Sequence, residues 1–391
     1  MRHTAPFFTA LSLALIPLHA FSAPAKNPIV CVAKRSGAIA VKAKCAKSET
    51  RFAESSYSEG RTTILNVAAK GAKFSSITLA LGAAKTLKPS ASNPVLIKLA
   101  PGRYTVEDPL TIPSFITLEG AGTSTSIVSV KGTGFLAPES SAMIRRMTIE
   151  VAAEIEAKTP LFIPDTASDV RMEDVDFTTS LGSSLLQLVV SRGTNVLLQR
   201  LTFKTLPSST GTVGIAVPAG SAAIVQVRMN LAGHVSGVLA SNGATVTVRD
   251  STVSVVKIGN LDSALGIRAT SSGTTLELDN VHVTGQGGGD IGSIALWSTN
   301  GPRLIARNSS FSTTGPTYGT VQVDESGTLE ILSSDIKAEG ANPPAGAFSG
   351  GSLSIGGSRL SGGSVVTQTG GTARCAAVYD ENFVFSASTC P

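Results

Sequence analysis

A short pattern of apolar and polar positions recurs along most of the chain. It reads apolar, any, apolar, any, turn residue, two variable residues and apolar, and successive copies begin roughly 22 to 30 residues apart. The clear copies are VRMEDVDF from residue 170, VLLQRLTF from 196, VTVRDSTV from 246, LELDNVHV from 276, LIARNSSF from 304, LEILSSDI from 329 and LSIGGSRL from 353. Poorer copies begin near Ile116, Ala142 and Ile224. Because alternation with period two is typical of strands, each copy predicts a strand that ends in a turn.

Three columns of residues support this register. Small residues stand three positions before the copies and suit a tight bend, often with positive φ, namely Ala167, Gly193, Ser221, Gly243, Gly273, Gly301, Ser326 and Gly350. Apolar residues stand seven positions before the copies, namely Ile163, Val189, Val217, Leu239, Ala269 and Trp297. We therefore interpret Trp297 as a core residue opposite the small Ala269. The turn position holds Asp174, Asp250, Asn280 and Asn308, which tolerate left-handed backbone.

Repeats of this length cannot bury an apolar face alone, but stacked coils can form a continuous core. The pattern therefore predicts an all-β chain, folded as a parallel β-helix of about ten coils over residues 64–372. Leucine-rich repeats are excluded because their leucine and asparagine signature is absent. At the start of the coils, FSSITLALGAAKTL (74–87) predicts a capping helix with an apolar face and with Ser75 or Ser76 as its N-cap.

The N-terminus has the organisation of a secretory signal peptide, which we place at residues 1–25. Arg2 gives a positive start, Ala5 to Leu18 form an apolar core, and the small residues of AFSAPA follow. This apolar core is too short to cross a bilayer comfortably, and no later run is long and apolar enough. We therefore expect an exported protein that is periplasmic, cell-surface or secreted.

The four cysteines form two close-spaced pairs, one at each end of the chain after the signal peptide. In an exported protein such pairs indicate disulfides. We expect Cys31–Cys45 in a basic N-terminal segment (26–63) and Cys375–Cys390 in a C-terminal cap (373–391). Metal ligation is not expected, because the histidines that follow the signal peptide lie far from every cysteine.

Charge is concentrated at the start of the chain. Through Lys88 there are 13 Lys and Arg against 3 Asp and Glu, a net of +10, whereas the remainder holds 19 against 24, a net of −5. A basic head favours anionic partners such as uronate polymers or lipopolysaccharide, or is a solvated surface that aids solubility. Nucleic acid is a poor partner, because the head has few aromatics that could stack on bases.

Two segments resemble known families. VAAKGAKFSSITLALGAA, with VLIKLAPGRYTVEDPLTIPSFITLEGAGTSTSIV after it, resembles the N-terminal third of pectinesterases over about residues 64–150. The resemblance implies the pectin lyase-like right-handed parallel β-helix. CVAKRSGAIAVKAKCAKSETRF resembles a small paired-cysteine module at the start of exported bacterial proteins, some of them fibre-like.

The pectinesterase reaction needs an Asp nucleophile, a second Asp, Gln donors for the oxyanion and an Arg. The resemblance implies that these lie in the motifs QAVAL, QDTL, GTVDFIFG and LGRPW. Here GTVGIAVPAG places Gly214 at the nucleophile position, and neither QDTL nor LGRPW occurs. We interpret the remaining match, Gln187, as a core residue in a column with Leu161, Ile215 and Ile267.

Other chemistries find little support. The densest acidic run comprises Asp169, Glu173, Asp174 and Asp176, which we interpret as a polar edge rather than a calcium site. A serine hydrolase is not indicated, because no Gly-x-Ser-x-Gly occurs and His234 and His282 fall in turn or outward positions.

We therefore assign no catalytic, cofactor-binding or metal-binding residue from the sequence. The first hypothesis is a non-catalytic, exported β-helix protein of the cell envelope or extracellular space that acts in glycan binding or in adhesion. The second is a carbohydrate-active enzyme, esterase or lyase, with an unrecognised site. The third is a structural fibre or spike component. A polysaccharide or another anionic envelope polymer is the expected partner.

Overall fold

A computed structural model describes residues 29–33, 39–42, 49–51, 62–155, 159–179, 186–205, 208–257, 264–287, 293–315, 319–339 and 343–391. The chain divides into a unit that ends at Glu59 and a unit that begins at Gly60. In the first unit, β1 (Ile29–Ala33) lies between β2 (Ile39–Lys42) and β3 (Glu49–Arg51) in an antiparallel sheet. Cys45 lies outside the described residues, so the Cys31–Cys45 disulfide stays a prediction.

The second unit is a right-handed parallel β-helix. The repeat predicts the parallel β-helix and its approximate number of turns, and the resemblance implies its hand. Each coil contributes strands to three faces. Face 1 stacks β4 (Thr63–Val67), β5 (Val95–Leu99), β8 (Ile116–Gly120), the first parts of β11 (Met143–Ile155), β13 (Arg171–Thr179), β20 (Thr245–Val256) and β22 (Thr275–Gln286), and β15 (Val196–Gln199), β18 (Ser221–Val225), β24 (Arg303–Arg307), β27 (Thr328–Leu332), β30 (Ser352–Gly356) and β33 (Thr372–Ala376).

Faces 2 and 3 complete each coil. Face 2 stacks β6 (Gly102–Val106), β9 (Ser126–Gly132), the second parts of β11, β13, β20 and β22, β16 (Thr202–Thr205), the first part of β19 (Arg228–Ala240), β25 (Ser310–Thr314), β28 (Asp335–Glu339), β31 (Arg359–Ser361) and β34 (Val378–Tyr379). Face 3 stacks β7 (Pro109–Ile112), β10 (Phe135–Pro138), β12 (Leu161–Ile163), β14 (Leu186–Ser191), β17 (Ser208–Val217), the second part of β19, β21 (Leu265–Thr270), β23 (Ile294–Thr299), β26 (Val321–Val323), β29 (Ala345–Ala347) and β32 (Val366–Thr367).

Inward residues form rows along the axis of the helix. On face 2, Phe177 and Phe203 are paired in register and their rings stack with centroids 4.8 Å apart. Met229 follows Phe203 in the same row and is also fully buried. Like residues thus stack on like residues one strand spacing apart, which gives the continuous core that single repeats cannot form.

The corner between faces 1 and 2 is built by residues with left-handed backbone. The aspartates and asparagines that the sequence places at this corner have the predicted left-handed backbone, with φ near +50°: Asp174 (54°), Asp250 (51°), Asn280 (54°) and Asn308 (51°). Arg146, Arg200, Gln226 and Ser333 adopt the same conformation in other coils. In the column of small residues, positive φ is found at Gly243, Gly273, Gly301, Ser326 and Gly350, whereas Ala167, Gly193 and Ser221 lack it.

Both predicted caps of the β-helix are present. The helix α1 (Ile77–Thr86) begins after Ser76, whose side chain accepts a hydrogen bond from the Leu79 N–H, and it buries Ile77, Leu81 and Ala84. At the other end, Cys375 and Cys390 are bonded with their Cα atoms 5.0 Å apart. Here β34 pairs with β35 (Phe385–Ser386) in an antiparallel hairpin. Within the described ranges, no helix is long and apolar enough to cross a membrane.

Candidate functional site

Some strands of face 3 turn two consecutive residues inwards, and β17 is one of them. In β17 these inward residues are Gly214 and Ile215, and Val213 and Ala216 flank them. An added Cβ at Gly214 would lie 2.7 Å from the Gly237 carbonyl oxygen and 3.1 Å from Met229 Sδ. Glycine is therefore required at this position for packing, because the backbones of neighbouring elements approach too closely for a side chain.

One outward row of face 3 carries a cluster of cationic, aromatic and amide side chains. The row, here called the outer row, joins residues that are paired in register on successive coils: Phe162, Val190, Ala216, Leu239, Arg268, Trp297 and Gln322. Its first members are apolar, and its last three combine a cation, an indole and an amide. These three, with Asp324, are here called the Trp297 cluster.

The Trp297 cluster is held together by ring stacking and hydrogen bonds. The guanidinium carbon of Arg268 lies 4.2 Å from the centroid of the Trp297 ring, a cation–π contact. The indole Nε1 donates to both carboxylate oxygens of Asp324, at 3.3 and 3.1 Å. The side-chain amide of Gln322 also donates to Asp324, at 3.1 Å. The indole is therefore fixed between the coils that precede and follow it.

Two polar atoms of this cluster are buried without a hydrogen-bond partner among the described residues. They are Nε of Arg268, a donor, and Oε1 of Gln322, an acceptor. Burial lowers the pKa of Arg268 from its ordinary value, while the charges of Asp324 and Glu325 act in the opposite direction. Unfilled buried donors and acceptors are costly, and native proteins usually fill them with a partner. Because both atoms are themselves buried, a ligand reaches them only if the side chains of the cluster move.

The carboxylates beside Trp297 accept hydrogen bonds from neighbouring side chains. Asp324 accepts from Trp297 and Gln322, and Glu325 accepts from the Thr299 hydroxyl at 2.9 Å. Asp324 is thus held at the Nε1 edge of the indole, and Glu325 is held beside Thr299.

The interpretations of Trp297 and Gln187 as core residues are wrong. Trp297 is half-buried and pairs in register with Arg268, not with Ala269. Gln187 pairs with the outward Val213, whereas Leu161 and Ile215 pair with Val189.

The acidic run is a charged edge of the β-helix, as the sequence predicts. Asp174 occupies the corner, and Arg200 in the next coil donates to its oxygens at 2.6 and 3.0 Å. Arg200 also reaches Glu173, at 3.4 Å. The arginine lowers the pKa of Asp174, first through its hydrogen bond and further through its charge. These acids therefore compensate a neighbouring cation on the surface.

The histidines give no sign of a catalytic pair in the described residues. His282 is exposed on face 2, where its Nδ1 lies 2.7 Å from the Ser310 hydroxyl of the next coil. His234 belongs to β19, and its side chain lies outside the described part of the chain.

Sequence reasoning missed the Trp297 cluster as a site. The usable signal was spacing, because Arg268, Trp297 and Gln322 follow one another at 29 and 25 residues, which are distances within the repeat period. Stacked coils place residues at such spacings side by side on one face.

Comparison with known proteins identifies the architecture. Neither a known protein family nor a curated protein matches the sequence. Among solved structures, the chain is similar to a variant catalytic domain of a GH87 α-1,3-glucanase in complex with tetrasaccharides, with a TM-score of 0.50 and 11% identity, over 82% of this chain and 67% of that one. The chain has the pectin lyase-like β-helix fold.

Two further solved structures give lower TM-scores. The same type of glucanase domain in complex with nigerose gives a TM-score of 0.49 at 10% identity, over 83% of this chain and 67% of that one. Pectin methylesterase from carrot gives a TM-score of 0.36 at 12% identity, over 69% of this chain and 82% of that one. At such identities the likeness concerns the fold alone.

Proposed function

We propose that this chain is an exported, non-catalytic glycan-binding protein and that the Trp297 cluster is its binding site. The observation that carries the proposal is the half-buried indole of Trp297 on an outward row, which stacks on Arg268 and donates from Nε1 to Asp324. Sugars combine apolar ring faces with many hydroxyl groups. An aromatic side chain flanked by donors and acceptors is complementary to both features.

The absence of esterase chemistry supports a binding role over an enzymatic one. The position expected for the nucleophile is Gly214, and it faces the core instead of the surface. Export follows from the signal-like N-terminus and is part of the proposal. The carbohydrate-active enzyme remains the alternative that the same experiment tests.

The proposal is tested by measuring glycan binding to the purified full-length protein on a glycan array and by calorimetry. Trp297→Ala should weaken binding of the best glycan at least about ten-fold, which corresponds to ~1.4 kcal/mol. Phe383→Ala is the matched control, because Phe383 is an aromatic residue that is 68% exposed at the C-terminal end. Its removal should leave the affinity unchanged.

A conservative variant separates the indole ring from its hydrogen bond. Trp297→Phe keeps an aromatic ring but cannot donate to Asp324, so its affinity should lie between those of the wild type and Trp297→Ala. Circular dichroism and the thermal midpoint establish that each variant is folded. If folded Trp297→Ala binds as the wild type does, the site is assigned wrongly. If the bound glycan is cleaved, the enzyme alternative replaces the proposal.

A further inference from the structure

A basic cavity lies on the first coils of the β-helix, apart from the outer row. Its volume is about 490 Å³. It is lined by Asn66, Val67, Ala68, Lys70, Gly71, Ala72, Lys98, Leu99, Ala100, Glu119, Gly120, Ala121 and Arg146. Asn66, Lys98 and Glu119 are paired in register on successive face 1 strands, and Arg146 occupies the corner of the coil that follows.

The charge of this cavity is strongly unbalanced. Three cations line it, Lys70, Lys98 and Arg146, against the single carboxylate of Glu119. That carboxylate is buried and already bound, because Arg145 donates to it from Nε at 2.6 Å and Arg146 lies 3.7 Å from it. Lys70 and Lys98 are exposed, and neither has an ion-pair partner in the part of the chain that the structure describes.

The walls of the cavity leave room for a ligand between these cations. Ala68, Ala72, Ala100 and Ala121 contribute only methyl groups, and Gly71 has no atom within 4 Å of the place where a Cβ would stand. A negatively charged group can therefore approach the lysines without displacing a side chain. A concave site lined by one sign of charge attracts ions of the other sign more strongly than a flat surface does.

We propose that this cavity binds an oxyanion, a carboxylate, sulfate or phosphate group, carried by an envelope polymer. Of its three cations, Lys70 belongs to the basic head of the chain, and Lys98 and Arg146 lie beyond it. The cavity and the Trp297 cluster share no residue, so this proposal stands or falls independently of the glycan site.

The sharpest test is a matched pair of substitutions at Ala121, which is exposed on the cavity wall. Ala121→Glu and Ala121→Gln add side chains of nearly equal size and differ in one negative charge. Calorimetric titration with inorganic sulfate, inorganic phosphate and glucuronate, at low ionic strength, measures the affinity. Ala121→Glu should lower the affinity of the bound oxyanion at least about ten-fold relative to Ala121→Gln. Equal affinities for the two variants overturn the proposal.

The lysines provide a second, independent measurement. Lys70→Gln and Lys98→Gln should each weaken binding several-fold, and Lys204→Gln, which removes an exposed lysine of face 2, should not. Glucose, which is neutral, should show no binding that Lys70→Gln or Lys98→Gln weakens. If Lys204→Gln weakens binding as much as Lys98→Gln does, the attraction is diffuse and the site does not exist. The preferred anion distinguishes the sources, because glucuronate represents a uronate polymer and phosphate represents a phosphorylated one.

Discussion

Asn280 occupies the same corner as Asp250 one coil earlier, and its side-chain amide donates a hydrogen bond to Asp250 Oδ1 at 2.7 Å. Both residues have left-handed backbone, with φ of 54° and 51°. Aspartate and asparagine at this corner therefore serve two purposes. They tolerate positive φ, and their side chains link successive coils. The next coil continues the link, because Asn308 donates to Asp279 at 2.9 Å.

Replacement of Asn280 should separate these two contributions. Asn280→Ala loses the hydrogen bond. It also places alanine, which has a Cβ but no polar side chain that could bond the local backbone, in a left-handed conformation. The free energy of unfolding should therefore fall by about 1–2 kcal/mol. Asn280→Gly loses the hydrogen bond but adopts positive φ freely, so it should cost less. Denaturant unfolding monitored by circular dichroism measures both. An equal or larger loss for glycine would show that backbone strain does not contribute at this corner.

The corners were predictable because they depend on the residue itself. Few side chains favour positive φ, so aspartate or asparagine at the turn position predicts a left-handed backbone. The structure confirms this conformation at Asp174, Asp250, Asn280 and Asn308. The capping helix was predictable for the same reason, since Ser76 is a strong N-cap that precedes an apolar periodic segment.

The outward site was not predictable, because it depends on the length of a turn. Ser298 and Ala269 belong to one inward row, yet Ser298 stands six residues before Leu304 and Ala269 stands seven residues before Leu276. Counting a fixed number of residues back from the face 1 strand therefore leads to different rows of face 3 in different coils. This single-residue difference moved Trp297 from the surface to the core in the sequence interpretation.

A ladder of charges lies on face 1 next to the corner. Arg249, Asp279 and Arg307 pair in register on three successive coils and are all exposed. Asp279→Arg would place three cations in one row at a spacing of ~4.8 Å, so it should destabilise more than Asp279→Ala. Asp279→Asn retains an acceptor for Asn308 and should cost least.

Salt dependence of the unfolding midpoint provides the control for this ladder. The additional loss in Asp279→Arg comes from repulsion between exposed charges, which salt at 1 M screens within ~3 Å. The difference between Asp279→Arg and Asp279→Ala should therefore shrink as salt is added. A difference that stays constant with salt would point to packing instead of charge.

The pair of Asp174 and Arg200 should make stability depend on pH in the acidic range. The pKa of Asp174 in the folded protein lies below its ordinary value of 3.8. A carboxyl with a depressed folded pKa stabilises the fold above its unfolded pKa, and this contribution disappears as the pH falls through the folded pKa. Because the pair is partly exposed, its contribution at pH 6 should be only ~0.2–1 kcal/mol.

The variant Arg200→Gln measures this dependence. The difference in unfolding free energy between the wild type and this variant should be constant from pH 7 to pH 5 and should diminish below about pH 4. Arg303→Gln, which replaces an exposed arginine at the start of a face 1 strand, serves as the control. A difference for Arg200→Gln that persists unchanged at pH 2 would exclude the ion pair as its cause.

The C-terminal disulfide should stabilise the last coils. Cys375 and Cys390 close a loop with a sequence separation of 15. In a chain-entropy model such a loop contributes ~3 kcal/mol, so the double variant Cys375→Ala, Cys390→Ala should lower the thermal midpoint clearly. Peptide mapping without reductant should find Cys375 joined to Cys390 and Cys31 joined to Cys45. A crosslink between the two ends of the chain would contradict both assignments.

We expect no esterase activity from the wild type or from a variant that restores the expected nucleophile. Gly214→Asp would put a carboxylate beside Met229 Sδ and the Gly237 carbonyl, in the core and without a partner, so it should destabilise by at least ~3 kcal/mol. Gly214→Ala, which adds only the methyl group, should destabilise less. Neither variant, nor the wild type, should release methanol from methyl-esterified pectin faster than buffer does. A wild-type turnover that is lost in Asp324→Asn would reverse this conclusion and make the Trp297 cluster an active site.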